Sequence, residues 1–100
     1  MEKTLRLIQE LTKKDPKTII ERTLKGAEEF GELAEAVLSF KKVSACAYKE
    51  LGKDEIVEEG VDVLLVVLAV IFQADPEISL EDLDKIMQKK SLKWEQKINK

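Results

Sequence analysis

Ten consecutive apolar residues, Val63 to Phe72, follow Asp62 without a polar interruption, and they constrain the chain more than any other feature. A membrane span requires about 20 such residues, roughly twice this run. A surface helix would carry its apolar residues on one stripe, whereas this segment is apolar all round. It therefore belongs at the centre of an assembly. The chain has 100 residues, and a domain of that size buries only about 60% of the surface its unfolded form exposes. With too few other apolar faces to wrap the run, the expectation is that at least a dimer buries it.

The rest of the chain reads as helix. Leu5, Ile8 and Leu11 recur at helical spacing, giving a short amphipathic helix over about Glu2 to Lys13. Asp15-Pro16 breaks it, and Asp15 is read as the cap of a second helix running to about Phe40. Ile20, Leu24, Ala27, Gly31, Ala34 and Leu38 make its seam, widened by Ile19, Phe30, Leu33 and Val37. Lys41 to Lys53 lacks periodicity and reads as a loop with a possible short turn. Asp54 is then the expected cap of a third helix reaching about Gln73. After Asp75-Pro76, Ser79 with Asp82 resembles a capping box opening a last helix, whose seam is Leu80, Leu83, Met87, Trp94 and Ile98. No repeat or linker divides residues 1–100, so a single domain is expected: an all-α, four-helix bundle completed by oligomerisation, as a dimer or a dimer of dimers.

Composition narrows the chemistry. There is no histidine, which excludes serine–histidine and cysteine–histidine nucleophiles and imidazole ligands. Cys46 is the one cysteine, so no internal disulfide framework or thiolate cluster exists, and the residue reads as a small inert side chain. Met1 to Arg6 has no signal-peptide core, and a cytoplasmic location is expected. The net charge is −3, with seventeen basic residues dispersed among twenty acidic ones, which argues against duplex nucleic acid as a partner. Small anions bridged by a cation fit better.

Acids supply that cation's ligands. The second helix carries Glu28, Glu29, Glu32 and Glu35, and the third carries Glu55, Glu58, Glu59 and Asp62. Residues three or four apart share a helix face, so if the two helices pack, several carboxylates point into one gap. Their mutual repulsion calls for a positive charge, and oxygen-only ligation selects a hard ion such as Mg2+, which favours phosphate chemistry. Most helix glutamates are merely solvated. Asp62 stands apart because it is a poor helix former leading into the apolar run, and a buried aspartate needs a partner. Gly26, Gly31 and Gly60 lie beside the acids inside helices, each costing about 1 kcal/mol against alanine, and imply close helix crossing or ligand clearance.

Glu29-Phe30-Gly31-Glu32 and Glu59-Gly60-Val61-Asp62, set within Lys25–Ala36 and Glu58–Leu65, resemble the signature of the MazG-type all-α nucleoside triphosphate pyrophosphohydrolases. The likeness covers about Lys17 to Trp94, and the segments Glu21–Lys25 and Ala45–Lys49 are similar to small single-domain versions. Ser91, after Lys90, stands where such proteins often carry asparagine. The resemblance implies Mg2+-dependent hydrolysis of a (deoxy)nucleoside triphosphate to the monophosphate and pyrophosphate. It makes Glu29, Glu32, Glu59 and Asp62 metal ligands, with Glu28 and Glu29 as catalytic residues, Glu28 orienting or deprotonating the attacking water. Lys49, Lys90 and Lys93 are candidates to meet phosphate, although exposed lysines are usually only solvated. Trp94 can stack on a base, and its spacing with Met87 and Ile98 reads first as core. Two alternatives compete: phosphoribosyl-ATP pyrophosphohydrolysis on the same fold, and a non-catalytic helical oligomerisation module whose acids only maintain solubility.

Overall fold

The computed structural model describes residues 1–42 and 49–99, except for the side chains of residues 42 and 49–51. Among the described residues are four α-helices and no strand: α1 Glu2–Lys14, α2 Ile19–Lys42, α3 Lys49–Ala74 and α4 Leu80–Ile98. The all-α expectation therefore holds. No helix among them is long and apolar enough to cross a membrane. α2 and α3 pack along their length and α1 packs on α3. Pairings fix the antiparallel register: Gln73 Nε2 donates to the Lys17 carbonyl at 3.0 Å, and a Cβ on Gly26 would lie 3.3 Å from Val66 Cγ1.

The joints differ from the sequence reading in two places. Asp15 closes α1 instead of opening α2: its N–H donates to the Leu11 carbonyl at 3.0 Å, and its backbone is extended, as proline demands of the residue before it. The cap of α2 is Thr18. Its Oγ1 accepts from the Glu21 N–H at 3.1 Å while Glu21 Oε1 accepts from the Thr18 N–H at 2.8 Å, a reciprocal capping box. Thr18→Ala is expected to destabilise the fold by about 1 kcal/mol, seen as a lower urea midpoint with an unchanged slope. At α4, Ser79 Oγ accepts from the Asp82 N–H at 3.0 Å as anticipated.

The second correction concerns Lys41 to Lys53. α2 continues to Lys42 and α3 already begins at Lys49, so Asp54 is an interior helix residue and not a cap. Gly52 misled because glycine usually marks a loop. Here a Cβ would come within 2.6 Å of the Phe40 ring, so the glycine marks close approach of two helices. Ser44, Cys46 and Tyr48 lie outside the described residues.

Packing assigns the helix faces. The α2 residues that are buried or half-buried are Arg22, Gly26, Glu29, Leu33, Ala36 and Phe40. The seam expected from the sequence, Ile20–Leu24–Ala27–Gly31–Ala34–Leu38, lies roughly 120–200° around the helix from them, at about 100° per residue. It is exposed, with Ile20 at 69%, Leu24 at 67% and Leu38 at 62%. The most apolar face of α2 is therefore bare, and a mixed polar face does the packing. The apolar run of α3 is likewise covered on one side only. Leu68, Ala69 and Phe72 are buried, while Leu64, Leu65 and Val67 are exposed.

The core sits at one end of the α2–α3 pair. Leu68, Phe72 and Leu83 form it, with Leu5, Ile8, Ile71, Ile78 and Leu80 packed around them. Polar side chains tie the surrounding turns to it. Arg22 Nη2 donates to the carbonyls of Asp15 at 3.1 Å and Thr12 at 3.4 Å, satisfying groups at the end of α1. Gln9 Nε2 donates to the carbonyls of Pro76 and Ile78, each at 3.0 Å, holding α1 against the turn into α4. Past Leu83, every residue of α4 is exposed, so the anticipated seam is covered only at its start. Trp94 is not core among the described residues, because none of their helices covers that length of α4.

Candidate metal centre

The antiparallel register that sets Gly26 beside Val66 also brings the middle of α2 against the first half of α3. Glu29, on the packing face of α2, is buried at 8% exposure, and Glu59 is half-buried opposite it. One carboxylate oxygen each of Glu29, Glu59 and Asp62 lie within 4.8 Å of one another. A second group, Glu28, Glu29 and Glu32, meets the same distance limit, so Glu29 is common to both. Each of the four metal ligands suggested by the sequence thus belongs to one group or the other. The expected burial of Asp62 is corrected: Asp62 is exposed, and the buried acid is Glu29. The reason is the helical phase, since Glu29 shares the packing stripe of Arg22 and Ala36.

Electrostatics mark Glu59. Its Oε2 is buried and has no hydrogen-bond partner among the described residues. Burial pushes its carboxyl above the ordinary range, and the charges of Glu32, Asp62, Glu29 and Glu55 push in the same direction. A buried carboxylate oxygen without a donor is unfavourable, and a hard cation is the partner its acidic neighbours suit. The donor set is all oxygen, as magnesium requires.

One cation is already present, and sequence reasoning assigned it no role. Lys25 Nζ lies 3.0 Å from Glu29 Oε1 and 3.1 Å from Glu28 Oε1, and these two acids hold its ammonium strongly in the charged form. The i,i+3 and i,i+4 spacing on α2 was the available signal. Lys25 thus pairs with Glu29, the acid shared by both groups, as well as with Glu28, and leaves Glu59 Oε2 without a donor among the described residues.

The other candidates are not brought to the acids. Lys49 begins α3, but its side chain lies outside the described residues. Lys90, Lys93 and Trp94 are on the exposed part of α4, and none enters an acid group or an ion pair among the described residues. No family model matches the chain, and no curated protein or solved structure matches it.

Proposed function

We propose that the chain is a magnesium-dependent nucleotide pyrophosphohydrolase acting as a homodimer or higher homo-oligomer. Two observations carry this reading: Glu29, Glu59 and Asp62 each bring a carboxylate oxygen within 4.8 Å of the others, and the Glu59 carboxylate has a buried oxygen, Oε2, with no hydrogen-bond partner among the described residues. The spacing Glu29-x-x-Glu32 and Glu59-x-x-Asp62, with its resemblance to MazG-type enzymes, adds the reaction class. Glu29, Glu59, Asp62 and Glu32 would hold the metal. Magnesium bound there supplies charge neutralisation for phosphate oxygens and makes a neighbouring water more acidic. The chain's own contribution is positioning. Glu28, exposed and paired with Lys25, would orient or deprotonate water, as the resemblance implies, while the packing of α2 on α3 would keep the carboxylates together.

The test is a panel of ribo- and deoxyribonucleoside triphosphates, with phosphoribosyl-ATP included, incubated with magnesium and analysed for monophosphate and pyrophosphate. Release of pyrophosphate identifies both reaction and substrate. A second reading, an oligomerisation module without catalysis, is favoured by the bare apolar seam of α2. It requires that no member of the panel turns over and that magnesium leaves the thermal midpoint unchanged.

A further inference from the structure

We propose that Lys25 is a built-in competitor for the metal: its ammonium and a magnesium ion exclude one another at Glu29, so the ion binds by displacing the ammonium toward Glu28. The proposal rests on the metal centre of the reading above, though not on turnover. It begins from one crowded carboxylate. Glu29 belongs to both acid groups, and its Oε1 also lies 3.0 Å from Lys25 Nζ. Two cations on one carboxylate repel each other, so each weakens the other's hold. Residues 26–40 and 54–74, which bear all five acids of the two groups, contain no lysine or arginine, and Lys25, next to the first of these stretches, pairs with two of those acids.

Burial decides which partner moves. The Glu29 side chain is 11% exposed, on the packing face of α2, whereas the Lys25 side chain is 51% exposed. A buried carboxylate without a partner is unfavourable, while an ammonium on a flexible stem is readily hydrated. The acid therefore stays and the lysine leaves. The chain also gives the ammonium somewhere to go. Glu28 Oε1 is already 3.1 Å from it, so Lys25 keeps one partner when it gives up the other. Lys25 and Glu28 both line a cleft of about 610 Å³, together with Lys17 and Arg22, and with Leu65 and Ala69 of α3. The outcome is a centre in which Glu29 is never left bare, and whose magnesium affinity is held down by its own lysine.

The experiment uses the full chain without nucleotide. Magnesium is titrated calorimetrically into chelator-treated wild type, Lys25→Met, Lys25→Arg and Lys17→Met, each with unchanged helical circular dichroism. An opposite charge within about 4–6 Å changes a carboxylate's affinity for a proton by roughly 1–3 pKa units, and by the same reasoning Lys25→Met should bind magnesium at least about 10-fold more tightly than the wild type. Lys25→Arg keeps the competing charge and should bind no more tightly than the wild type. Lys17 lines the same cleft but pairs with Asp15, at 3.3 Å. Lys17→Met thus removes a nearby charge without freeing Glu29, and screening should limit its effect to about twofold.

Displacement itself is read in the wild type. In chelator, 15N-detected spectra should show a coupling across the hydrogen bond from Lys25 Nζ to the Glu29 carboxylate carbon, and saturating magnesium should abolish it. A coupling that persists at saturation would overturn the proposal and leave the metal centre standing. So would an affinity gain no larger in Lys25→Met than in Lys17→Met, or an equal gain in Lys25→Arg. Magnesium that binds neither the wild type nor Lys25→Met would overturn the centre and the proposal together.

Discussion

Glu59→Gln is expected to yield a protein that hydrolyses no nucleotide at a measurable rate and yet unfolds at a higher temperature than the wild type in chelator. The loss of rate should be at least about 100-fold, since the centre acts by holding charge in place. The gain in stability follows from proton linkage. In the folded chain the Glu59 carboxyl is raised above its ordinary value of 4.5, by burial first and by neighbouring acids second. Below 4.5 both folded and unfolded chains carry the proton. Between that value and the raised one only the folded chain does, so stability falls as pH rises through the window, and above it the folded state retains an unfavourable buried charge. Glutamine keeps the shape, carries no charge and offers an amide donor to the neighbouring carboxylates. Thermal melts in chelator from pH 5 to 8, above the range in which the lowered carboxyls of Asp15 and Glu21 act with the opposite sign, should show the wild type losing stability with rising pH, and the variant losing less. Magnesium should restore the wild type at neutral pH and leave the variant nearly unmoved. A variant that is active, or less stable than the wild type in chelator, contradicts this account of Glu59.

Phe72→Ala should be the most damaging single change to the fold. Phe72 is 1% exposed and is the one large side chain fully buried among the described residues. Truncating such a phenylalanine costs about 3–5 kcal/mol through lost transfer energy and the cavity left behind. Domains are stable by only about 5–15 kcal/mol, and this core is small, so much of the chain's stability goes with it. The measurement is a urea titration followed by circular dichroism at matched protein concentration. Phe30→Ala is the comparison, because Phe30 is 61% exposed in the single chain. If Phe30→Ala destabilises as much as Phe72→Ala, and more so on dilution, the surface around Phe30 is covered in an assembly.

Much of the arrangement can be read from local chemistry. Helical periodicity, the Asp-Pro breaks and the Ser79 cap lead to four helices with the ends of α1, α3 and the start of α4 close to where they are found. The same cannot be said of Thr18 and Gly52. Thr18 competes with Asp15 for the role of cap, and only hydrogen-bond geometry decides between them. Gly52 looks like a loop until the Phe40 ring is seen in the place of its Cβ.

Spacing also put Glu29 with Glu32 and Glu59 with Asp62, since three residues make nearly one helical turn and any helix would bring each pair to one face. What spacing could not decide was which acid is buried, because that depends on the rotation of α2 against α3. Hydropathy pointed to the Leu24 seam as the packing face, whereas the chain packs through Glu29, Leu33 and Ala36 on another side. By itself, then, the sequence determined the helices, the acid pairs within each helix and the excess of apolar surface, all of which follow from interactions a few residues apart. Only the tertiary structure decided that Glu29 meets Glu59 and that α4 stands free past Leu83. Those are consequences of helix phase and register, which are set by packing between residues far apart in the chain.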